Sequence, residues 1–309
     1  MRRSSMKIAI TGGAGFIASH IADAYLALGH EVFVIDNLST GKRENIPDTA
    51  TFIEMDVNDS ALLDLFNDEK FDLVNHHAAQ MDVRVSVQDP SYDARINILG
   101  GLNVYESAFK TGVKKIIFAS SGGTVYGDQE VFPADEHHST KPISPYGIAK
   151  LSNEQYLYYY AHVHGLPYVA FRYANVYGPR QNPHGEAGVI AIFTQKLLRG
   201  EQPIINGEGL QTRDYVYVGD VVKANVLALQ PSMIGAYNIG TALETDVNTL
   251  FRHLRDLTNS QCEEQHAPAK QGEQLRSVLS YDRIHTAFGW TPTMNLIEGL
   301  SKTVDSFRS

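Results

Sequence analysis

The sequence predicts an α/β fold, a doubly wound parallel sheet with a smaller, irregular α/β domain toward its C-terminal end. Three observations carry that expectation. Short β-branched runs alternate with longer stretches of helix-like apolar spacing through the first half of the chain. A glycine-rich stretch, Thr11-Gly12-Gly13-Ala14-Gly15, stands between the first strand-like run and the first helix-like one. Beyond Gly178 the rhythm loosens into pieces punctuated by Pro and Gly, such as Gln181-Asn182-Pro183-His184-Gly185. Strand-helix alternation of this kind wraps a parallel sheet on both faces.

Lys7–Thr11, Glu31–Asp36, Thr51–Val57, Asp72–Ala79 and Lys114–Ser121 read as five strands. A helix with clear bounds follows: Ser144 can cap it, Pro145 suits its first turn, and Gly165 with Pro167 closes it. Tyr168–Tyr173 then reads as a sixth strand. The sheet domain is expected to span residues 1–178 plus about 213–240, and the smaller domain about 179–212 plus 241–309. Ser260–Gly272 reads as a loose linker.

Composition narrows the function. The 309 residues are 43% hydrophobic and 20% charged, with no apolar run long enough to cross a bilayer. A net charge of -9 argues against a broad footprint for nucleic acid or an anionic membrane, so neither is expected as a partner. Any phosphate must be held locally. Cys262 is the only cysteine, which rules out an internal disulfide and a thiolate metal cluster and suits a reducing cytoplasm. The basic Met1–Met6 segment precedes an apolar run too short for a signal peptide, and Met6 is an alternative start.

A glycine loop between a strand and a helix lets backbone N–H groups approach a pyrophosphate, with the helix N-terminus supplying partial positive charge. Gly12, Gly15, Phe16 and Ile17 are therefore candidate cofactor contacts, with Ala18 where a third glycine is often found. Asp36 ends the second strand about twenty residues on, placed for an adenosine ribose 2′-hydroxyl. A carboxylate there repels a 2′-phosphate and favours NAD, while Lys42 and Arg43 keep an NADP alternative open. Asp56 is either a contact for the adenine edge or a cap for the next helix.

Tyr146 and Lys150 are four apart on the Ser144 helix, so both project from one face. A tyrosine, with an unperturbed pKa near ~10, becomes a useful base when a cation stabilises its phenolate. His76-His77 and His137-His138 lack the acidic or cysteine company of a metal site, and no metal is expected.

The chain resembles the extended short-chain dehydrogenase/reductase superfamily, in its nucleotide-sugar epimerase and dehydratase branch, from Met6 to its end. The resemblance is carried by Thr-Gly-Gly-Ala-Gly-Phe-Ile from Thr11, Asp-Asn-Leu-Ser-Thr-Gly from Asp36, His77-Ala78-Ala79-Gln80 and Ser120-Ser121-Gly122-Gly123-Thr124-Val125-Tyr126-Gly127. Ser144-Pro145-Tyr146-Gly147 and Arg172-Tyr173-Ala174-Asn175-Val176-Tyr177-Gly178-Pro179-Arg180 complete it. It implies a Rossmann sheet that holds NAD, with Asn37, Val57, Ala78, Ala79 and Gln80 added to the cofactor contacts. It also implies Tyr146 as general base, Lys150 on the nicotinamide ribose, and Asn175 and Arg213 on a substrate phosphate. The pattern is that of 4-epimerases acting on UDP-hexoses.

Departures matter. Gly122 stands where a serine often meets the sugar 4-hydroxyl, leaving Ser121 or Thr124 as substitutes, and Lys270 replaces a second phosphate-binding arginine. Glu273 matches an acidic position of the family, and Ser277 falls four residues later on the wall beside the sugar 2-substituent, where a small side chain leaves room for an N-acetyl group. A 4,6-dehydratase would need an acidic pair, and a UDP-glucuronate decarboxylase a glutamate, where this chain has Gly122-Gly123. An NAD-sensing protein would need neither Tyr146 nor Lys150. The Tyr156–Tyr160 cluster lies on a helix that the family uses in a dimer interface, which implies a homodimer.

Overall fold

A computed structural model describes residues 5–183, 188–269 and 274–308. Seven strands form one sheet: β1 (Lys7–Thr11), β2 (Glu31–Asp36), β3 (Thr51–Glu54), β4 (Leu73–His76), β5 (Lys115–Ser121), β6 (Tyr168–Tyr173) and, after four short intervening strands, β11 (Gly235–Ile239). Their spatial order is β11-β6-β5-β4-β1-β2-β3, and every pairing is parallel. Both faces are covered, so β1, β4 and β5 are buried along almost their whole length and read as continuous apolar runs instead of alternating ones. The order reverses between β1 and β4, which opens a crevice at the carboxyl edge of the sheet.

Two expected strands end early. β3 stops at Glu54, its last pair being Asp36↔Glu54, because Asp56 then turns the chain by accepting from the Asn58 backbone. β4 stops at His76, where His77 N donates to Thr11 O at 3.0 Å and the chain leaves the sheet. The sheet is flanked by α1 (Phe16–Ala27), α2 (Leu62–Glu69), α3 (Val83–Gln88), α4 (Pro90–Ala94) and α5 (Gly100–Thr111), with a π-helical turn over Arg95–Leu99 between the last two. A short α6 (Gly122–Val125) follows β5, and α7 (Pro145–His164) is the longest helix. Its bounds are those the sequence predicts: Ser144 Oγ accepts from Gly147 N at 3.1 Å, and Gly165 takes a left-handed φ of 69° at the C-cap.

A separate core forms from α8 (Val189–Leu198), α10 (Val247–Thr258), α12 (Leu296–Arg308) and short strands, while α9 (Val218–Leu227) and α11 (Asp282–Phe288) pack on the large sheet. Phe193, Leu197, Leu250, Phe251, Leu254, Leu300 and Val304 pack in the separate core. Within the segment 241–309, however, Ile284 of α11 and Trp290 join the core of the large sheet. The short strands are β7 (Asn175–Tyr177), β8 (Ile205–Asn206), β9 (Thr212–Arg213), β10 (Tyr215–Tyr217), β12 (Thr245–Asp246), β13 (His266–Ala267) and β14 (Arg276–Ser277). β13 pairs with β8, so the expected loose linker is anchored in its middle, and its last residues, Lys270–Gly272, lie outside the described residues. No helix is long and apolar enough to cross a membrane among the described residues.

Candidate functional site

The crevice begins at the turn from β1 to α1. Gly12 has a φ of 69°, and a Cβ there would stand 2.6 Å from Ala78 N, so only glycine allows this turn to pack against the end of β4. Gly15 precedes α1 without any side-chain cap, which leaves the first-turn amides of the helix to a ligand. Across the crevice Asp36 accepts from Ala14 N at 3.0 Å and Leu38 N at 2.8 Å, while burial pushes its carboxyl up. Each oxygen keeps a lone pair for a ribose hydroxyl.

Asp56 lines the same cavity and does not cap α2, whose N-cap is Ala61. Burial pushes its carboxyl up, yet hydrogen bonds from Asn58 and from Asn37 Nδ2, the last at 2.7 Å, hold it below the ordinary range. Lys42 and Arg43 do not line the cavity: Lys42 pairs with Glu44 at 3.2 Å, and the Arg43 guanidinium lies 4.1 Å from the Phe52 ring centroid. The cation that would hold a 2′-phosphate is therefore turned away.

Gly12, Gly15, Phe16, Ile17, Asp36, Asn37, Asp56, Val57, Ala78 and Ala79 share this cavity with Tyr146 and Lys150. Gln80 does not reach it. Its side chain instead braces the loop after β4, accepting from Asp82 N at 2.6 Å and donating to Asp93 Oδ1 at 2.9 Å. Lys150 is 4% exposed, and its Nζ donates to Ala119 O at 2.8 Å, 5.5 Å from the Tyr146 ring centroid. Burial pulls the Lys150 ammonium down to about 8. It remains the cation closest to the Tyr146 ring in a water-poor setting, where its field acts most strongly.

The expected hydroxyls are placed less directly. Neither Ser121 nor Thr124 lines the cavity; Thr124 Oγ1 leans back on Ser121 O at 3.4 Å. Ser120 does line it, but its hydroxyl donates inward to Glu154 Oε1 at 2.5 Å. Sequence reasoning also passed over Tyr173 and His77, whose Oη and Nε2 lie 3.3 Å apart on the cavity wall. Their position at the carboxyl ends of β6 and β4 is the signal that marks them.

A second cavity adjoins the first, and Met81 lines both. It holds Asn175, Arg213, Asn206, Gln211 and Arg84 against an apolar wall that includes Phe193 and Val247. Arg213 sits on β9, opposite Ser277 of β14 in register, with its Nη1 donating to Thr212 O at 2.8 Å. Ser277 is buried and lines neither cavity; its Oγ faces Gly123, 3.7 Å from where a Cβ would be. Lys270 and Glu273 lie outside the described residues. No three histidine, cysteine or acidic side chains gather as metal ligands among the described residues.

A family model described as the NAD dependent epimerase/dehydratase family matches residues 8–240. The chain belongs to this NAD-dependent epimerase/dehydratase family. The architecture of this epimerase-family chain is shared with the UDP-glucose 4-epimerase of Thermotoga maritima, solved with UDP-glucose, at 48% identity and a TM-score of 0.96 over 98% of this chain and 99% of that one. The UDP-glucose 4-epimerase of Thermus thermophilus, solved with NAD, is 44% identical, with a TM-score of 0.94 over 98% and 99% of the two chains. A UDP-N-acetylglucosamine 4-epimerase from Methanobrevibacter ruminantium, solved with UDP-N-acetylmuramic acid, is 34% identical, with a TM-score of 0.93 over 99% of each. The uncapped start of α1, the Gly12 cradle and the Asp36 carboxylate of this family member fit the family's NAD.

Proposed function

We propose that this protein interconverts the C4 epimers of a UDP-hexose, UDP-glucose and UDP-galactose first, with the N-acetylated pair as a second substrate. One observation carries the reading: Met81 joins the cavity of Asp36, Tyr146 and Lys150 to the cavity of Asn175 and Arg213, so a sugar between them meets the base while its diphosphate meets the arginine. NAD, when bound, supplies reversible hydride uptake from C4 of the sugar.

Gly12, Gly15, Phe16, Ile17, Asp36, Asn37, Asp56, Val57, Ala78 and Ala79 hold the cofactor in this reading. Lys150 stabilises Tyr146 as the phenolate, and this phenolate takes the proton of the 4-hydroxyl and becomes neutral, which readies C4 for the hydride transfer that bound NAD would accept. The 4-keto sugar turns within the cleft while Asn175 and Arg213, which line the second cavity, keep its diphosphate end in place; by sequence position Lys270 is a further cation for the phosphates and Glu273 an acceptor for a hydroxyl of the sugar nucleotide. Tyr146 then returns the proton to O4 when the opposite face of C4 is turned toward the cofactor site, where bound NAD would give the hydride back, so the net redox change is zero. Ser121 at the end of β5 and Thr124 in the turn after it, the candidates for a hydroxyl at O4, lie outside the cavity lining, and Ser277 stands behind Gly123, so each would have to act on the sugar through a rearrangement of that turn.

The turn after β5 favours epimerisation over dehydration. Gly122 and Gly123 abut Leu279 and Ser277, and neither position offers the carboxyl groups that removal of water from C5 and C6 demands. The cofactor contacts fall within residues 1–178, whereas the sugar-nucleotide cavity draws on Asn175 and Arg213 of the expected sheet domain as well as on 179–212 and 241–309. A cytoplasmic homodimer completes the proposal. Its support is the lone Cys262 and the side chains of Tyr156, Tyr158, Tyr159 and Val163, exposed along α7 while Leu157 and Tyr160 are buried.

The test is to incubate the protein with UDP-glucose, UDP-galactose, UDP-N-acetylglucosamine and UDP-glucuronate and to identify products by NMR. Interconversion at C4 is the expected result. A stable 4-keto-6-deoxy sugar or loss of carbon dioxide overturns it.

A further inference from the structure

The mechanism leaves unused a buried carboxylate on α4, a helix that packs against α7, the helix of Lys150. Asp93, on α4, is 1% exposed. Its Oδ1 accepts from Gln80 Nε2 and Asn97 Nδ2, both at 2.9 Å, while Oδ2 is shielded from solvent and has no hydrogen-bond partner. Asn97 in turn offers its backbone carbonyl to Asn153 Nδ2 at 2.9 Å, one turn along α7 from Lys150. The sequence thus ties Asp93 to the face of α7 that carries the base and its cation. A carboxylate and an ammonium are each costly to bury alone, and each offsets the cost of the other.

We propose that Asp93 is a positioning residue that acts through Lys150: its carboxylate is the buried counter-charge that keeps the Lys150 ammonium protonated, and so sets the upper pH limit at which Tyr146 works as a base. The inference rests on the proposed role of Tyr146 and Lys150.

Burial and the Lys150 charge act on Asp93 in opposite directions, burial being the larger, and on Lys150 burial is opposed by Asp93 alone. Apart from the Tyr146 phenolate itself, the other ionisable groups packed around α7 among the described residues are neutral or paired. His76 at the end of β4 and His77 just after it are held neutral by burial, down to about 3. Glu154 of α7 is neutralised by Arg172 of β6 at 2.6 Å, and Glu106 of α5 by Lys110 at 3.0 Å. Asp82, beside α3, is paired with Arg84 at 2.6 Å, and the neighbouring tyrosines Tyr105 and Tyr160 are pushed upward by burial and stay protonated.

The test compares Asp93→Asn, which keeps an acceptor for Gln80 and Asn97 while removing the charge, with Asp93→Glu, which keeps the charge. The alkaline limb of kcat/KM is expected to move down by about one pH unit in Asp93→Asn and to stay near its wild-type place in Asp93→Glu. NAD affinity, followed by calorimetry, should change little. The cofactor-free protein gives an independent reading. Lys150 in the folded chain lies below its ordinary 10.5, so the unfolded chain binds more protons between the two values, and this group's contribution to stability rises with pH through that window. In Asp93→Asn the window should open about one unit lower.

A uniform loss of activity with an unmoved limb and an unmoved stability window overturns the proposal. Should Asp93→Asn melt too low to assay, the Asp93→Asn/Lys150→Met double variant decides: paired charges predict that it melts higher than Asp93→Asn, and an equal or lower melt overturns the pairing. Wild-type protein that turns over no UDP-sugar sinks the mechanism instead, and leaves the cofactor-free stability window to judge Asp93.

Discussion

The Leu279 side chain occupies the space that a Cβ on Gly122 would need, so the turn after β5 is closed to a side chain from its own strand. Leu279 is fully buried and its N–H donates to Asp214 Oδ2 at 3.2 Å, which fixes it in place. A serine at position 122 would therefore have to displace the end of the Leu279 side chain, a constraint set by a residue 157 positions further along the chain.

Gly122→Ser is expected to destabilise the protein by about 1–3 kcal/mol through overpacking against Leu279, and to reduce turnover with it. Leu279→Ala in the same chain should recover part of both losses. Denaturant melts and kcat measured on the two variants check this; a double variant no better than Gly122→Ser would show that the overlap is not the cause.

Tyr146→Phe removes one hydroxyl from a half-buried ring and should leave the melt and NAD affinity close to wild type. Turnover should fall about 10²–10⁴-fold, the span expected for loss of a general base. Single-turnover reduction of bound NAD by UDP-glucose reads the step directly, and reduction at the wild-type rate would remove Tyr146 from it.

Asp36 governs cofactor choice in the proposed site. Replacement by Asn removes the charge opposed to a 2′-phosphate and keeps one oxygen to accept from either Ala14 or Leu38, which bond different oxygens of Asp36. The ratio of NADP to NAD affinity should rise about tenfold or more, ~1.4 kcal/mol, measured by calorimetry. A constant ratio would place the discrimination elsewhere in the crevice.

Glu154 and Arg172 form a buried pair, 2.6 Å from Nη2 to Oε2, that also takes the Ser120 hydroxyl and, through Arg172 Nη1, meets the Tyr126 hydroxyl at 2.9 Å. It locks α7 to β5, β6 and α6 two turns below Tyr146. Glu154→Ala leaves a buried guanidinium unpaired and should cost about 3–5 kcal/mol of stability, visible in denaturant unfolding. A loss under about 1 kcal/mol would mean that water reaches and solvates Arg172.

Much of this molecule is local, and local physics is legible in a sequence. The order of strands and helices, the bounds of α7, the Gly12 turn and the Asp36 position follow from periodicity, capping residues and backbone freedom, which act over a few residues. For the same reason the four-residue spacing of Tyr146 and Lys150 on a capped helix puts them on one face, and the motifs before them in the chain mark the pair as functional. What the chain does across long separations was not readable in this way. Gln80 and Asp93 meet because the loop after β4 folds over α4, Ser277 reaches Gly123 because β14 lies beside β9, and Leu279 fills the space beside Gly122 from the far end of the chain. These contacts depend on how whole elements pack and on which buried polar groups find partners, and only the tertiary structure decides that.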